Sequence, residues 1–191
     1  MIFAHEVDLA SRIICERTVV APTKPNPDVM RLNPLNKLPT LVLDDGSSLY
    51  DSRVIVEYLD NLHSGPRRIP AAGPLRFTAL RQQALADGTL DFLLLGLSER
   101  ARPEAQQSPE MRAALEVKFR MAFDALEAEA SHLGQDSVFG LGEIAVAAVI
   151  GYADFRYASK AWREGRPALS AFAEQVSSRP SFIATQHVDT Y

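Results

Sequence analysis

Residues 33–59 read NPLNKLPTLVLDDGSSLYDSRVIVEYL, and they pack two turns, two short extended runs and a helix start into one continuous stretch. Pro39 has no N–H to give a sheet, so Lys37-Leu38-Pro39-Thr40 reads either as a simple strand start or as the tight turn in which such a proline often follows a cis bond. Such a bend leaves the backbone N–H and C=O of Leu38 facing outward, able to pair with an extended peptide-like ligand. Leu41 to Leu43 and Leu49-Tyr50 then form a hairpin through Asp45-Gly46. From Arg53 to Leu62 the apolar positions Val54, Ile55, Tyr58, Leu59 and Leu62 follow helical period, so this helix is expected to bury one face against the sheet.

Working outward, Met1 to Leu9 reads as helix and Ile13 to Val20 as an extended, buried second strand that includes Cys15. The first half is therefore α/β. The segment HSGPRRIPAAGPL (63–75) carries Pro66, Pro70, Pro74, Gly65 and Gly73, too many for one regular element, and marks a boundary. Beyond it the pattern is helical: Leu75 to Leu97, Met111 to Leu133, Ile144 to Tyr157 and Leu169 to Val176. Ser108-Pro109 supplies a hydroxyl cap and a proline where no N–H is needed. The expected organisation is an α/β domain over 1–63, a linker over 64–74 and an all-helical bundle over 75–191.

Composition narrows the function classes. The chain has 191 residues, is 47% hydrophobic and carries a net charge of −4, with its basic residues scattered, so neither nucleic acid nor a membrane surface is expected as a partner. No apolar run reaches the roughly 18 residues of a spanning helix, and the first residues lack a signal peptide's basic start and apolar core. A cytoplasmic location follows as an expectation. One cysteine forms no internal disulfide or Cys-x-x-Cys site. The histidines at 5, 63, 132 and 187 lack metal-binding spacing, and no metal is expected.

Tyr50-Asp51-Ser52-Arg53 places a carboxylate and a hydroxyl where a strand ends and a helix begins. The Ser52 side chain and the first backbone amides make an anion site there, and they equally describe an ordinary helix cap. Beside it, Asp51 can receive an ammonium, so the pair suits an α-amino-acid head group. Lys37 can hold a second, distant carboxylate. A ligand with an amino-acid head, a central peptide and a far carboxylate is glutathione.

The same stretch resembles the glutathione-binding core of the cytosolic glutathione transferases, and the helical half resembles their C-terminal domain. Within that half, ALADGTLD (84–91) and ARPEAQQS (101–108) are similar to a bacterial subgroup. The resemblance implies a thioredoxin-like domain followed by a helical bundle. It also implies a cis Pro39, a Leu38 that holds the cysteinyl backbone, Asp51 and Ser52 on the γ-glutamyl end, and Lys37 near the glycyl carboxylate. By the same resemblance the protein is a homodimer that conjugates glutathione to a small hydrophobic electrophile.

Two departures stand out. Where the family uses a Ser/Thr-x-x-Asp cap on its internal helix, this chain has Gly140-Leu141-Gly142-Glu143, weaker by a few tenths of a kcal/mol. The family also opens with a strand and a loop bearing the catalytic serine, tyrosine or cysteine, whereas Met1 to Glu6 reads as helix interior. The expectation is that the natural protein starts roughly a dozen or more residues upstream, as a parallel βαβ unit requires, or that another segment replaces the strand; direct pairing of Ile13 to Val20 with Thr40 to Leu43 would show replacement. No residue is assigned as the thiol-activating donor. The alternative function is a non-catalytic glutathione-binding or assembly module. Asp87 and Asp91 share a helix face and read as paired carboxylates or as structural acids partnered by Arg81, Arg100 or Arg102. Phe92, Tyr152, Phe155, Tyr157 and Trp162 read as core, or as the lining of an electrophile pocket.

Overall fold

Apolar residues three and four apart demand helices that bury a stripe, and in the second half the chain supplies four such helices long enough to pack on one another. The computed structural model describes residues 1–21, 23–134 and 138–188. A small two-stranded sheet with helices is followed by a helical domain. It divides into two compact units, essentially Phe3–Pro66 and Arg67–Tyr191.

The first unit contains α1 (Ile2–Glu6), α2 (Pro27–Leu32), β1 (Leu41–Val42), β2 (Ser48–Leu49) and α3 (Ser52–Asp60). Asn26 starts α2: its side-chain oxygen accepts from the N–H groups of Asp28 (3.0 Å) and Val29 (3.4 Å), ahead of a proline in the first turn. β1 and β2 are antiparallel, with Leu41 opposite Leu49 and Val42 opposite Ser48. The reversal uses Gly46 at φ 83°, a conformation glycine adopts without a Cβ clash, and Asp45 holds it by accepting from both the N–H (2.9 Å) and the hydroxyl (2.6 Å) of Ser47.

Three expectations change in this unit. Ile13 to Val20 is not a strand: it joins no ladder, and it does not pair with residues 40–43, whose ladder partner among the described residues is β2. An extended segment becomes a strand only by sharing its N–H and C=O groups with a neighbour. Without one, Ile14 is 91% exposed, and Cys15 is exposed where burial was expected. In α3 only Ile55 and Leu59 of the apolar stripe are buried, together with Asp60, while Val54 and Leu62 face outward. Finally, α3 is capped by Asp51, whose Oδ1 accepts from the Arg53 N–H at 3.1 Å, and Ser52 is the first helical residue.

The second unit is built on α4 (Gly73–Arg100), α5 (Pro109–Ala130), α6 (Leu141–Arg156) and α7 (Pro167–Ser177), with a short α8 (Pro180–Ile183). The segment read as a linker over 64–74 thus runs into α4, which starts at Gly73 with Pro74 in its first turn. α4 packs on α5 and α6, and α7 packs on both. Phe123, Leu126, Val146, Val149, Ile150, Leu169 and Val176 are all essentially inaccessible, and the rings of Phe119 and Phe123 stack at 4.4 Å. Polar clamps fix how these helices meet. Glu127 on α5 accepts from the N–H groups of Ala168 (3.0 Å) and Leu169 (2.7 Å), satisfying the start of α7 from outside that helix. Ser108 caps α5 by accepting from the Met111 N–H at 3.1 Å. Gly140 begins α6 without a side chain, and the Glu143 carboxylate accepts from its N–H at 3.1 Å, supplying half of a capping box. No described helix is long and apolar enough to cross a membrane.

Candidate functional site

The hairpin register brings two distant parts of the sequence to one place. Leu41 lies opposite Leu49, so the residues just before β1 and those just after β2 emerge at the same end of the hairpin. The proline turn and the first turn of α3 therefore share one end of the hairpin. Two cis peptide bonds sit there, Leu38–Pro39 and Tyr50–Asp51.

The proline turn is held from within. Asn33 is almost fully buried, and its side chain uses both ends: Nδ2 donates to the Lys37 carbonyl (3.0 Å) and to the Thr40 hydroxyl oxygen (3.1 Å), while Oδ1 accepts from the Leu35 N–H (3.0 Å). The Thr40 hydroxyl donates in turn to the Lys37 carbonyl at 3.0 Å. Asn36 stands at φ 52°, and its side chain accepts from the Asn26 N–H at 3.0 Å, which ties the turn to the start of α2. These bonds fix the backbone before Leu38 and leave Leu38 itself unused. Its side chain is 45% exposed, and among the described residues neither its N–H nor its carbonyl has a hydrogen-bond partner. Asn33 was not singled out from the sequence; the only local signal is an asparagine before a proline, which is common in turns.

Just after β2, Asp51 is exposed and its carboxylate meets the Arg53 guanidinium at 3.3 Å. Ser52 is partly exposed, and its N–H and hydroxyl have no partner among the described residues. A helix start with a free amide and a free hydroxyl attracts an anionic oxygen. The Lys37 side chain is exposed and makes no ion pair among the described residues. Leu38 thus precedes β1, and Asp51 and Ser52 follow β2, at the same end of the hairpin, with Lys37 next to Leu38 in the chain.

The other candidates separate. Arg81 pairs with Glu129 at 2.7 Å, Arg102 lies 3.7 Å from Glu99, and Arg100 stacks over the Tyr157 ring at 4.1 Å, so these arginines are engaged away from Asp87 and Asp91. Trp162 is core and donates its indole N–H to Asp154 at 2.7 Å. Tyr152 and Phe155 lie against His187. Of the five aromatics, Phe92 and Tyr157 line a cavity of about 270 Å³ within the helical unit. No cluster of three or more His, Cys, Asp or Glu residues with metal-binding geometry occurs among the described residues.

Comparison with known proteins agrees with this division of the chain. Residues 1–62 match the family model for the glutathione S-transferase N-terminal domain, and residues 105–175 match that for the C-terminal domain. An uncharacterized GST-like protein of Escherichia coli K12, YibF, is 37% identical over 161 residues, spanning 83% of this chain and 79% of that protein. The crystal structure of a glutathione transferase family member from Pseudomonas fluorescens Pf-5 with bound glutathione superimposes with a TM-score of 0.93 at 36% identity, over 98% of this chain and 91% of that one. A glutathione S-transferase from Methylobacillus flagellatus KT with glutathione bound gives 0.85 at 32% identity, over 98% and 92%. Both halves match in the same order, and the likeness runs through the proline turn, the hairpin and the bundle alike: this chain belongs to the glutathione S-transferase family.

Proposed function

We propose that the protein is a glutathione transferase that moves the glutathione thiolate onto a small hydrophobic electrophile, acting in the cytoplasm as a homodimer. The observation that carries this reading is the hairpin end, where the backbone of Leu38 is unpaired before β1 and α3 starts just after β2. The cysteinyl unit of glutathione pairs with the N–H and C=O of Leu38 as an added strand would. Its γ-glutamyl carboxylate accepts from the N–H and hydroxyl of Ser52, and its ammonium lies against Asp51. Lys37 faces the glycyl carboxylate. Support comes from the two bacterial structures at 36% and 32% identity, both of which hold glutathione. In the reaction the thiolate forms a carbon–sulfur bond with the electrophile while a leaving group departs with its electron pair, and donors near the sulfur favour the thiolate over the thiol.

Calorimetric titration with glutathione is the test. One site per chain is expected, and Ser52→Ala or Asp51→Asn weakens it by about tenfold, the worth of a charge-assisted hydrogen bond. Lys37→Ala changes it by no more than about threefold, because an exposed ion pair is worth little. Absence of heat, together with no protection against unfolding, overturns the reading. Binding without conjugation of 1-chloro-2,4-dinitrobenzene would instead assign the chain to the glutathione-binding modules. Sedimentation equilibrium checks the dimer.

A further inference from the structure

The cavity within the helical unit has a composition that the proposed glutathione site does not explain. It lies where the C-terminal end of α4, the first turns of α5 and the chain just after α6 come together, and its walls are Phe92, Leu93, Leu115, Phe119 and Tyr157. Its volume of about 270 Å³ exceeds the ~150 Å³ that suffices for a benzene ring and approaches the lower end of small-ligand pockets. Gly96 helps to shape it. A Cβ at that position would come within 2.8 Å of the Tyr157 hydroxyl, which donates to the Leu93 carbonyl, so the missing side chain lets the phenol seat across α4.

Charges at the rim are unevenly committed. Glu116 is held by Lys160 at 2.6 Å, and Glu99 accepts from the Ser108 N–H and lies 3.7 Å from Arg102. Those two acids already have cationic or amide partners. Arg100 and Arg112, by contrast, have no acidic partner among the described residues. The Arg100 guanidinium stacks 4.1 Å from the Tyr157 ring centroid, which fixes its plane and leaves its edge N–H groups available. An apolar lining that also includes two guanidinium groups without an ion pair among the described residues is complementary to one ligand chemistry.

We propose that this cavity binds a small aromatic or branched apolar carboxylate, its hydrocarbon body on Phe92, Phe119 and Tyr157 and its carboxylate on the guanidinium groups of Arg100 and Arg112. A guanidinium fork matches the two oxygens of a carboxylate, and the apolar walls exclude the water that would otherwise compete for it. This inference does not depend on the glutathione reading, because the lining residues all lie in the helical unit.

The probe is naphthalene-1-carboxylate, titrated against the full chain without glutathione, beside its neutral counterpart naphthalene-1-carboxamide. The carboxylate is expected to bind at least tenfold tighter. Arg112→Ala should remove most of that preference and leave the amide's affinity within twofold, and Arg100→Ala should act likewise. Leu115→Trp, checked for folding by thermal unfolding, should abolish binding of both by filling the void. Equal affinity for the two probes, no binding of either, or an unchanged preference in both arginine variants would overturn the proposal. A second arm separates two sources of the same chemistry. If 4-chloro-3-nitrobenzoate is conjugated, with the thiolate replacing chloride, and naphthalene-1-carboxylate competes with it, the carboxylate belongs to the electrophile. If naphthalene-1-carboxylate binds without competing, the ligand is held apart from the reaction.

Discussion

The two units spend their residues differently. In the first, the side chains that matter hold backbone in place: Asn33 fixes the turn before Leu38, Asp45 fixes the hairpin reversal and Asp51 caps α3. Large apolar residues such as Ile14, Val19, Val54 and Leu62 remain exposed there, as Leu75 and Phe77 do on the second unit. In the second, side chains fill space, with Phe123, Leu126, Ile150 and Leu169 sealed between helices and carboxylates such as Glu127 bridging one helix to the next. The difference follows from what each is built to present. A surface that offers free N–H and C=O groups to a ligand must leave them unpaired, whereas a helical bundle satisfies its backbone internally and can commit its side chains to packing.

Cutting into the second unit's core should give the largest loss. Phe123→Ala removes a fully buried ring stacked on Phe119, and about 3–5 kcal/mol of stability should disappear in urea unfolding. A loss under ~1 kcal/mol would mean that the bundle is not the stable half. Next in size, Asn33→Ala strands the Leu35 N–H and leaves the Lys37 carbonyl with the Thr40 hydroxyl alone, at about 1–3 kcal/mol. Its signature is local: hydrogen exchange should accelerate around residues 33–40, and glutathione affinity should fall by about tenfold, if backbone positioning is what the first unit contributes.

A smaller effect is confined to acid. The hydrogen bond from Arg81 holds the Glu129 carboxyl below its ordinary value of 4.5, aided by one from Gln82 and opposed by partial burial. A depressed carboxyl contributes stability that is present above its unfolded value and is lost as pH falls through the folded one. Glu129→Gln should therefore flatten the stability profile below about pH 4.5, and because Arg81 is largely exposed the change should stay under ~1 kcal/mol. The least change is expected at Ile14→Ser. This residue is 91% exposed, and its replacement should shift the unfolding midpoint by no more than the equivalent of ~0.5 kcal/mol. A loss several times larger would show that the segment is covered in solution and would narrow the contrast between the units.

Much of this contrast was legible in the chain. Helical periodicity located α4 to α7 because each buries a stripe, and Ser108-Pro109 marked the start of α5 through chemistry confined to neighbouring residues. The proline at 39 and the glycine at 46 marked their turns for the same reason. Ile13 to Val20 misled because β-branched composition describes a segment suited to a sheet, while the sheet itself depends on a partner elsewhere. Asn33 escaped notice because its role appears only when its two side-chain ends are seen to reach residues up to seven positions away.

By itself the sequence determined that the second half is built of four long helices, which turns need proline or glycine, and the family, since each of these is written in contiguous residues. Only the tertiary structure decided that the proline turn and the start of α3 emerge at one end of the hairpin and that Phe92, Phe119 and Tyr157 line one cavity with Arg100 and Arg112. Local propensity acts over a few residues, whereas register and the pairing of charges depend on which distant segments the fold brings into contact.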